Sequence, residues 1–182
     1  MDSTQDVPKP PQKNNTYLII FVVIALGGFL TLIVVAILAG IVLVAVNPQA
    51  QVEKARDAGR LQELSNLTKA IQLSIIDGEI ELINTSDCRT CESSIGTTET
   101  DGTSGWVKFK IPAGKTGLSK YLLSLPKDPT NTKNYAYQFS SDGTNYEINA
   151  IFEAEINASK MSADKGNNDS VYEVGSNLTL IK

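Results

Sequence analysis

An unbroken apolar run over residues 17–46 limits what this chain can fold into more than any other feature of its sequence. The run contains no Asp, Glu, Lys or Arg. Because an α-helix rises by about 1.5 Å per residue, a run of this length spans about 45 Å, whereas the hydrocarbon core of a bilayer is about 30 Å thick. The run therefore predicts a single transmembrane helix over residues 17–46.

A cleaved secretory signal is the alternative interpretation of this run. Signals of that kind place a basic stretch before an apolar core of about 7–15 residues, followed by a small-residue cleavage site. The run here is about twice as long as such a core, and it ends in Val46-Asn47-Pro48-Gln49, without a small-x-small exit. The sequence therefore favours a permanent membrane anchor, preceded by a disordered tail over residues 1–16.

The composition argues against two broad classes of function. The 182 residues carry a formal net charge of −4 and no basic stripe, which argues against nucleic acid as a partner because phosphate contacts need clustered Lys and Arg. The chain has no histidine, and this removes the commonest general base and every His-paired nucleophile. We expect a protein that is not an enzyme and that carries no organic cofactor.

Residues 47–78 have the pattern of an amphipathic stalk helix. Apolar residues recur at spacings of mostly three and four and so share one face, which we expect to pack on the chain's own domain rather than form a free coiled coil. Asp77-Gly78 marks the end of the helix. The predicted apolar face comprises Val52, Ala55, Leu61, Leu64, Leu67, Ile71 and Ile75, and the predicted solvent face comprises Glu53, Lys54, Arg56, Asp57, Arg60, Glu63 and Lys69.

Residues 79–182 predict a small antiparallel sheet. Residues 106–111 alternate in polarity with the period of a strand. Residues 135–139 and 146–152 form a hairpin pattern, because the turn between them contains Asp142-Gly143. Short closing strands are expected at residues 171–174 and 178–181, and short helical segments at 118–125 and 153–163. The predicted fold class is α+β, with one long N-terminal helix packed on the sheet.

Cys88 and Cys91 are the two cysteines of the chain and are separated by two residues. Such a pair can be a redox couple, half of a zinc site, a local disulfide or two free thiols. A second pair is missing and the flanking residues are polar, so the zinc and redox interpretations lack support from the sequence. A disulfide is favoured if the domain lies outside the cytoplasm.

This plan, together with several short motifs, resembles the type IV pilin and type II secretion pseudopilin superfamily of bacteria. Residues 29–40 are similar to a degraded copy of the family's Phe-Thr-Leu-Ile-Glu helix opening. Residues 125–129, 135–137, 141–147 and 172–175 are similar to the sheet region of pseudopilin-like proteins. The resemblance implies a structural subunit or accessory of a type IV pilus or type II secretion system.

The resemblance also implies a topology and a set of partners. It places the N-terminus in the cytoplasm and the C-terminal domain outside the cell membrane, and its partners are the lipid bilayer and other pilin-like subunits that contact the N-terminal helix. A non-assembling, membrane-anchored binding module on the same scaffold is the alternative function. In that case the polar loop over residues 79–105 would carry recognition.

Family precursors carry a short basic leader that is cut just before the Phe, and Gly28-Phe29 occupy the corresponding position here. About ten apolar residues precede this bond, and Ile33 and Val34 stand where the family has a glutamate that helps to dock a new subunit. A lone carboxylate in lipid is costly and is kept only for such a purpose. We therefore expect the leader to be retained; cleavage between Gly28 and Phe29 is the alternative.

Some pseudopilins hold calcium in a loop of the sheet domain, and the resemblance directs attention to residues 164–169. Asp164, Asn167 and Asp169 offer oxygen ligands at close spacing, which hard cations require. The segment does not fit the EF-hand pattern, and Asn/Gly/Asp clusters also form simple turns. The sequence is consistent with both a calcium site and a simple turn at residues 164–169.

Overall fold

The computed structural model describes residues 15–182, except for the side chains of residues 42–46. The predicted disordered tail therefore lies, apart from its last two residues, outside the described residues. The chain divides into two compact units, Met1–Pro48 and Gln49–Lys182.

The first unit contains one long helix, α1, at Thr16–Val46. Its uniformly apolar sequence gives it no polar face, and every described side chain over residues 16–41 is exposed. The single hydroxyl in its middle, Thr31 Oγ1, donates a hydrogen bond to the carbonyl of Gly27 at 2.8 Å, which satisfies that hydroxyl within the helix. The helix ends at Asn47, which takes a left-handed conformation.

The second helix, α2, spans Pro48–Ile76, in agreement with the predicted stalk. Pro48 is suited to the first helical position, where its missing N–H is not needed. Gly78 ends the helix in a left-handed conformation with φ of 61°, and the N–H of Glu79 donates back to the carbonyl of Ser74 at 2.8 Å. This is a common way of satisfying the last carbonyls of a helix.

The buried face of α2 differs from the predicted one at both ends, since Ala55 near its start and Ile75 near its end are exposed although both were predicted on the apolar face. Leu64, Leu67 and Ile71 are fully buried as expected. Val52, by contrast, is 47% exposed, whereas Asp57 and Arg60, which were predicted on the solvent face, are fully buried. The assignment of Asp57 and Arg60 to the solvent face was therefore wrong. The spacing explains the error, because positions 57, 60, 64, 67 and 71 form one continuous row at intervals of three and four.

The second unit contains two antiparallel sheets. β1 (Glu81–Leu82) pairs with β2 (Phe109–Lys110), and β3 (Gln138–Ser141), β4 (Tyr146–Ala150) and β5 (Tyr172–Gly175) form a sheet in the order β3-β4-β5. The predicted hairpin is confirmed, since Asp142 Oδ1 accepts hydrogen bonds from the N–H groups of Thr144 and Asn145 in the turn between β3 and β4. The predicted strand over residues 106–111 is reduced to β2, and residues 178–181 form no strand.

Short helical segments occupy the remaining connections. A 3₁₀ helix at Gly117–Lys120 precedes β3. A second 3₁₀ turn at Glu155–Asn157 leads into α3 at Ala158–Ser162, where the sequence predicted a short helix. The fold is thus the predicted α+β class, a long N-terminal helix with a small antiparallel sheet.

One hydrophobic core joins α2 to the three-stranded sheet. The core cluster contains residues of α2, of the sheet and of the adjoining loops. These include Leu64, Leu67 and Ile71 of α2, Phe139 of β3, Tyr146 and Ile148 of β4, and Trp106 and Tyr137. Both faces of the sheet are covered at its central strand, since all five residues of β4 are buried. The C-terminal residues cover Glu147 on the face away from α2, where its Oε2 accepts the N–H groups of Leu180 and Ile181.

Candidate functional site

The feature of the first unit that bears on function is the exposure of α1. Residues Thr16–Ile41 have the length and composition of a membrane span, and a signal sequence has the same properties. Large apolar side chains on this helix are uncovered; Phe21 is 72% and Leu32 69% exposed. The surfaces of soluble monomeric proteins rarely contain a continuous apolar patch of this size. An apolar environment is therefore needed to cover α1.

The position that the sequence analysis gave as the alternative cleavage site lies inside α1. Gly28 and Phe29 are both in regular helix, and Phe29 is 65% exposed. Ile33 and Val34, at the position of the family's glutamate, are exposed apolar residues of the same helix. Within the described residues of this helix, Thr31 is the one side chain able to form a strong hydrogen bond between Leu18 and Ile41.

A buried ionic cluster around Arg60 is the most elaborate polar arrangement of the second unit. The Arg60 guanidinium donates to both carboxylate oxygens of Asp128, from Nε at 2.6 Å and from Nη2 at 2.8 Å. Its Nη1 donates to Asp57 Oδ1 at 2.8 Å, and its Nη2 lies 2.6 Å from Glu153 Oε1 and 3.1 Å from Thr130 Oγ1. This side chain therefore joins α2 to two separate loops.

The charges of this cluster are stabilised by their mutual contacts. Burial opposes the charge on Arg60, but the hydrogen bonds to Asp128 and Glu153 outweigh it and raise the pKa of Arg60. The hydrogen bond from Arg56, assisted by Arg60, lowers the pKa of Glu153 to about 2 against the opposing effect of burial. Arg60 and Glu153 are thus held in their charged forms at neutral pH.

Asp57 extends the cluster to the segment that follows β4. Its carboxylate accepts hydrogen bonds from the N–H groups of Glu153 at 2.9 Å and Ala154 at 3.0 Å, and from Asn157 Nδ2 at 2.8 Å. Because Asp57 and Arg60 are inaccessible to solvent, the cluster offers no substrate access. We assign it a structural role, in which it fixes the N-terminal half of the α2 face to the domain.

Cys88 and Cys91 form a disulfide, with their Cα atoms 5.6 Å apart. The bond closes a short ring in the polar loop between β1 and β2. The carbonyl of Cys91 accepts the N–H of Phe139 at 2.9 Å, so the ring is attached to the start of β3. In this state neither sulfur is available as a zinc ligand or a nucleophile.

The calcium candidates lie in the loop before β5. Asp164 Oδ1 accepts the N–H of Gly166 and Oδ2 accepts the N–H of Glu173, both at 2.8 Å, so its carboxylate organises a turn. Asn167 and Asp169 are exposed. Among the residues that the structure describes, no three His, Cys, Asp or Glu side chains come together in a way that would hold a metal ion. Calcium bound by Asp164, Asn167 and Asp169 stays a prediction.

The sequence analysis missed the Arg60 cluster because it assumed that charged residues of an amphipathic helix face solvent. The signal that would have found it is the i, i+3 pair Asp57 and Arg60, of opposite charge and in register with the buried row.

Comparison with known proteins does not identify this chain. No protein-family model, no curated protein and no solved structure matches it.

Proposed function

We propose that this protein is a pilin-like, pseudopilin-type membrane protein that serves as a structural subunit or accessory of a type IV pilus or a type II secretion system. The observation that carries the proposal is the exposed, charge-free helix α1 in a chain whose next helix, α2, packs on a small antiparallel sheet. In this proposal the protein assembles with other subunits and presents its sheet domain outside the membrane, and no residue has a catalytic role.

The bilayer accounts for the exposure of α1. The side chains of Leu, Ile, Val and Phe each favour insertion by about 0.3–0.6 kcal/mol near the bilayer centre, and a helix satisfies its own backbone hydrogen bonds there. The same apolar surface in water would be an aggregation hazard. We therefore propose that α1 is retained as a single-pass anchor in the cell membrane.

Lateral contacts between copies of α1, or between α1 and other pilin-like subunits, provide the mechanism of assembly. Helices in membranes associate where small residues allow close approach. Gly40 has open space where a Cβ would be, and Ala36 lies one turn before it on the same face of the helix. These positions are the proposed contact surface.

The disulfide supports the orientation of the protein. Cys88 and Cys91 are bonded, and disulfides persist mainly in oxidising compartments outside the cytoplasm. We propose a cytoplasmic N-terminus and an extracytoplasmic C-terminal domain. Digestion of intact cells with protease tests this orientation, since the domain is expected to be cut only if it lies outside; protection of the domain would refute it.

Cysteine crosslinking in membranes tests assembly directly. The chain offers Ala36→Cys on the small-residue face and Leu38→Cys about half a turn away as a matched control. Because both native cysteines are paired, the introduced thiol reports alone. We expect Ala36→Cys to give crosslinked dimers, or adducts with a second protein, and Leu38→Cys to give few; monomers in both variants would contradict the subunit role.

A non-assembling anchored binding module is the second candidate function. It is favoured by Ile33 and Val34, which replace the glutamate used in subunit docking, and by the disulfide that attaches the polar loop to β3. Deleting residues 92–105 separates the two functions. Crosslinking of Ala36→Cys that persists in the deletion variant would point to a subunit assembled through α1, whereas no crosslinking in the parent, together with a ligand that only the parent binds, would favour the binding module.

A further inference from the structure

Residues 84–93, which contain both cysteines, cover one edge of β3. The other edge of β3 pairs with β4, and no further strand joins the sheet in the part of the chain that the structure describes. Instead, single bridges connect Asn84 with Asp142 and Glu92 with Gln138. Such a cover matters because the free backbone groups of an exposed edge can pair with a strand of another chain. We call residues 84–93 the covering segment.

The covering segment accepts hydrogen bonds from three N–H groups along this edge of β3. The N–H of Tyr137 donates to Ser93 Oγ at 2.9 Å, that of Phe139 to the Cys91 carbonyl at 2.9 Å, and that of Ser141 to Thr85 Oγ1 at 2.7 Å. The three donors are two residues apart, as expected for N–H groups that point to the same edge of a strand. Two of the three acceptors are side-chain hydroxyls, so no continuous strand is needed to satisfy this edge.

The disulfide links separate contacts of the covering segment. Thr85 contacts one end of β3 and Cys91 contacts its middle. The Cys88–Cys91 bond joins these two parts of the segment, because the Cys88 N–H also donates to the Thr85 carbonyl at 2.9 Å. Opening the bond removes this link and leaves the Cys91 carbonyl held by its own hydrogen bond to Phe139.

Cys88 is the more accessible of the two cysteines. It is partly exposed and borders open grooves of about 410 Å³ and 240 Å³. Cys91 is 7% exposed and borders the smaller of these two grooves. Because thiol–disulfide exchange requires access to the sulfur that is attacked, Cys88 Sγ is the sulfur that a reductant can reach.

We propose that the Cys88–Cys91 disulfide is a redox switch that holds the covering segment on β3 when oxidised and releases it when a dithiol reduces it. A thiolate of the dithiol attacks Cys88 Sγ and breaks the S–S bond, and Cys91 leaves as a thiolate that takes up a proton. The second thiol of the reductant then displaces Cys88 from the mixed disulfide. The protein disulfide gains two electrons and two protons, and the dithiol is oxidised to its own disulfide.

Amide-resolved hydrogen exchange of the detergent-solubilised full chain, with and without dithiothreitol, tests the proposal. Closing a loop as short as the one between Cys88 and Cys91 changes an opening equilibrium by about twentyfold. We expect reduction to speed exchange of the Phe139 amide by about this factor, because its acceptor lies in the ring. Exchange of the Ile148 amide, in the buried central strand, should stay unchanged.

Two variants serve as controls. The double variant Cys88→Ser/Cys91→Ser should show the fast exchange of Phe139 without reductant and should not respond to dithiothreitol. Thr85→Val removes the hydroxyl that accepts the Ser141 N–H but keeps the disulfide. It should speed exchange at Ser141 and leave the Phe139 amide protected in the oxidised chain. If the double variant does not fold, the wild-type chain with and without dithiothreitol carries the same test.

Two results would overturn the switch. Equal protection of Phe139 before and after complete reduction, as verified by thiol titration, would show that the covering segment stays in place without the bond. Reduction that speeds exchange at Ile148 as much as at Phe139 would show that the domain unfolds as a whole. Both readouts lie in the second unit, so this inference does not depend on the proposed membrane function.

Discussion

Arg60→Met is the sharpest test of the energetics of the domain. The substitution keeps an unbranched side chain of similar length but removes a fully buried guanidinium that contacts Asp57, Asp128 and Glu153. Three carboxylates then lose their shared cation at a site without solvent. Removing one partner of a buried ionic cluster costs about 3–5 kcal/mol, which is a large part of the usual stability of a domain of this size.

The loss is measured by denaturant unfolding of the detergent-solubilised chain. Trp106 reports on the region directly, because its indole Nε1 donates to the carbonyl of Pro126 at 2.9 Å, close in sequence to Asp128. Lys54→Met, at an exposed position of the same helix, is the matched control and should leave the unfolding midpoint unchanged. Adding Asp128→Asn to Arg60→Met should recover part of the loss, since it removes one unpaired charge. A loss below about 1 kcal/mol for Arg60→Met would refute the reasoning.

Three further predictions concern the same domain. Leu67→Ala removes a fully buried side chain of the core and should lower the unfolding free energy by about 2–5 kcal/mol; the half-exposed Leu73→Ala should cost clearly less in the same denaturant assay. The lowered pKa of Glu153, about 2, means that its ion pairs stabilise the fold fully above pH about 4.5 and that this stabilisation is lost as the pH falls towards 2. Glu153→Gln should flatten the melting-temperature profile over that range, and an unaltered profile would contradict the assignment. Reduction of the Cys88–Cys91 disulfide, or its replacement by two serines, should cost about 2 kcal/mol because the closed loop is short; identical melting with and without reductant would show that the loop does not depend on the bond.

The sequence predicted most of the elements because their signals are local. The apolar run of α1, the end of α2 at Gly78 and the Asp142-Gly143 hairpin each depend on neighbouring residues, and each is found. The three-residue and four-residue spacing also identified Leu64, Leu67 and Ile71 as core positions. Each of these features is determined by the backbone conformation or the residue spacing within a single element, so neighbouring residues suffice to predict it.

The polar interior could not be predicted in this way, because its partners are distant in the chain. Arg60 and Asp128 are 68 residues apart, and nothing near Arg60 in sequence shows that it is buried. Glu147 and Asn149 alternate with core residues along β4. The alternation of a strand would therefore predict that both side chains face solvent. Glu147 is buried because the C-terminal residues donate hydrogen bonds to it, and that contact forms only once the sheet is complete.

The anchoring of the protein in a membrane by α1 is tested by alkaline extraction of membranes from cells that make the full chain, combined with the intact mass of the extracted protein. We expect the protein to stay in the membrane pellet, to require detergent for release and to retain residues 17–46. A monodisperse, undegraded full-length protein in the soluble fraction, or a mature chain that begins at or after Phe29, would contradict it.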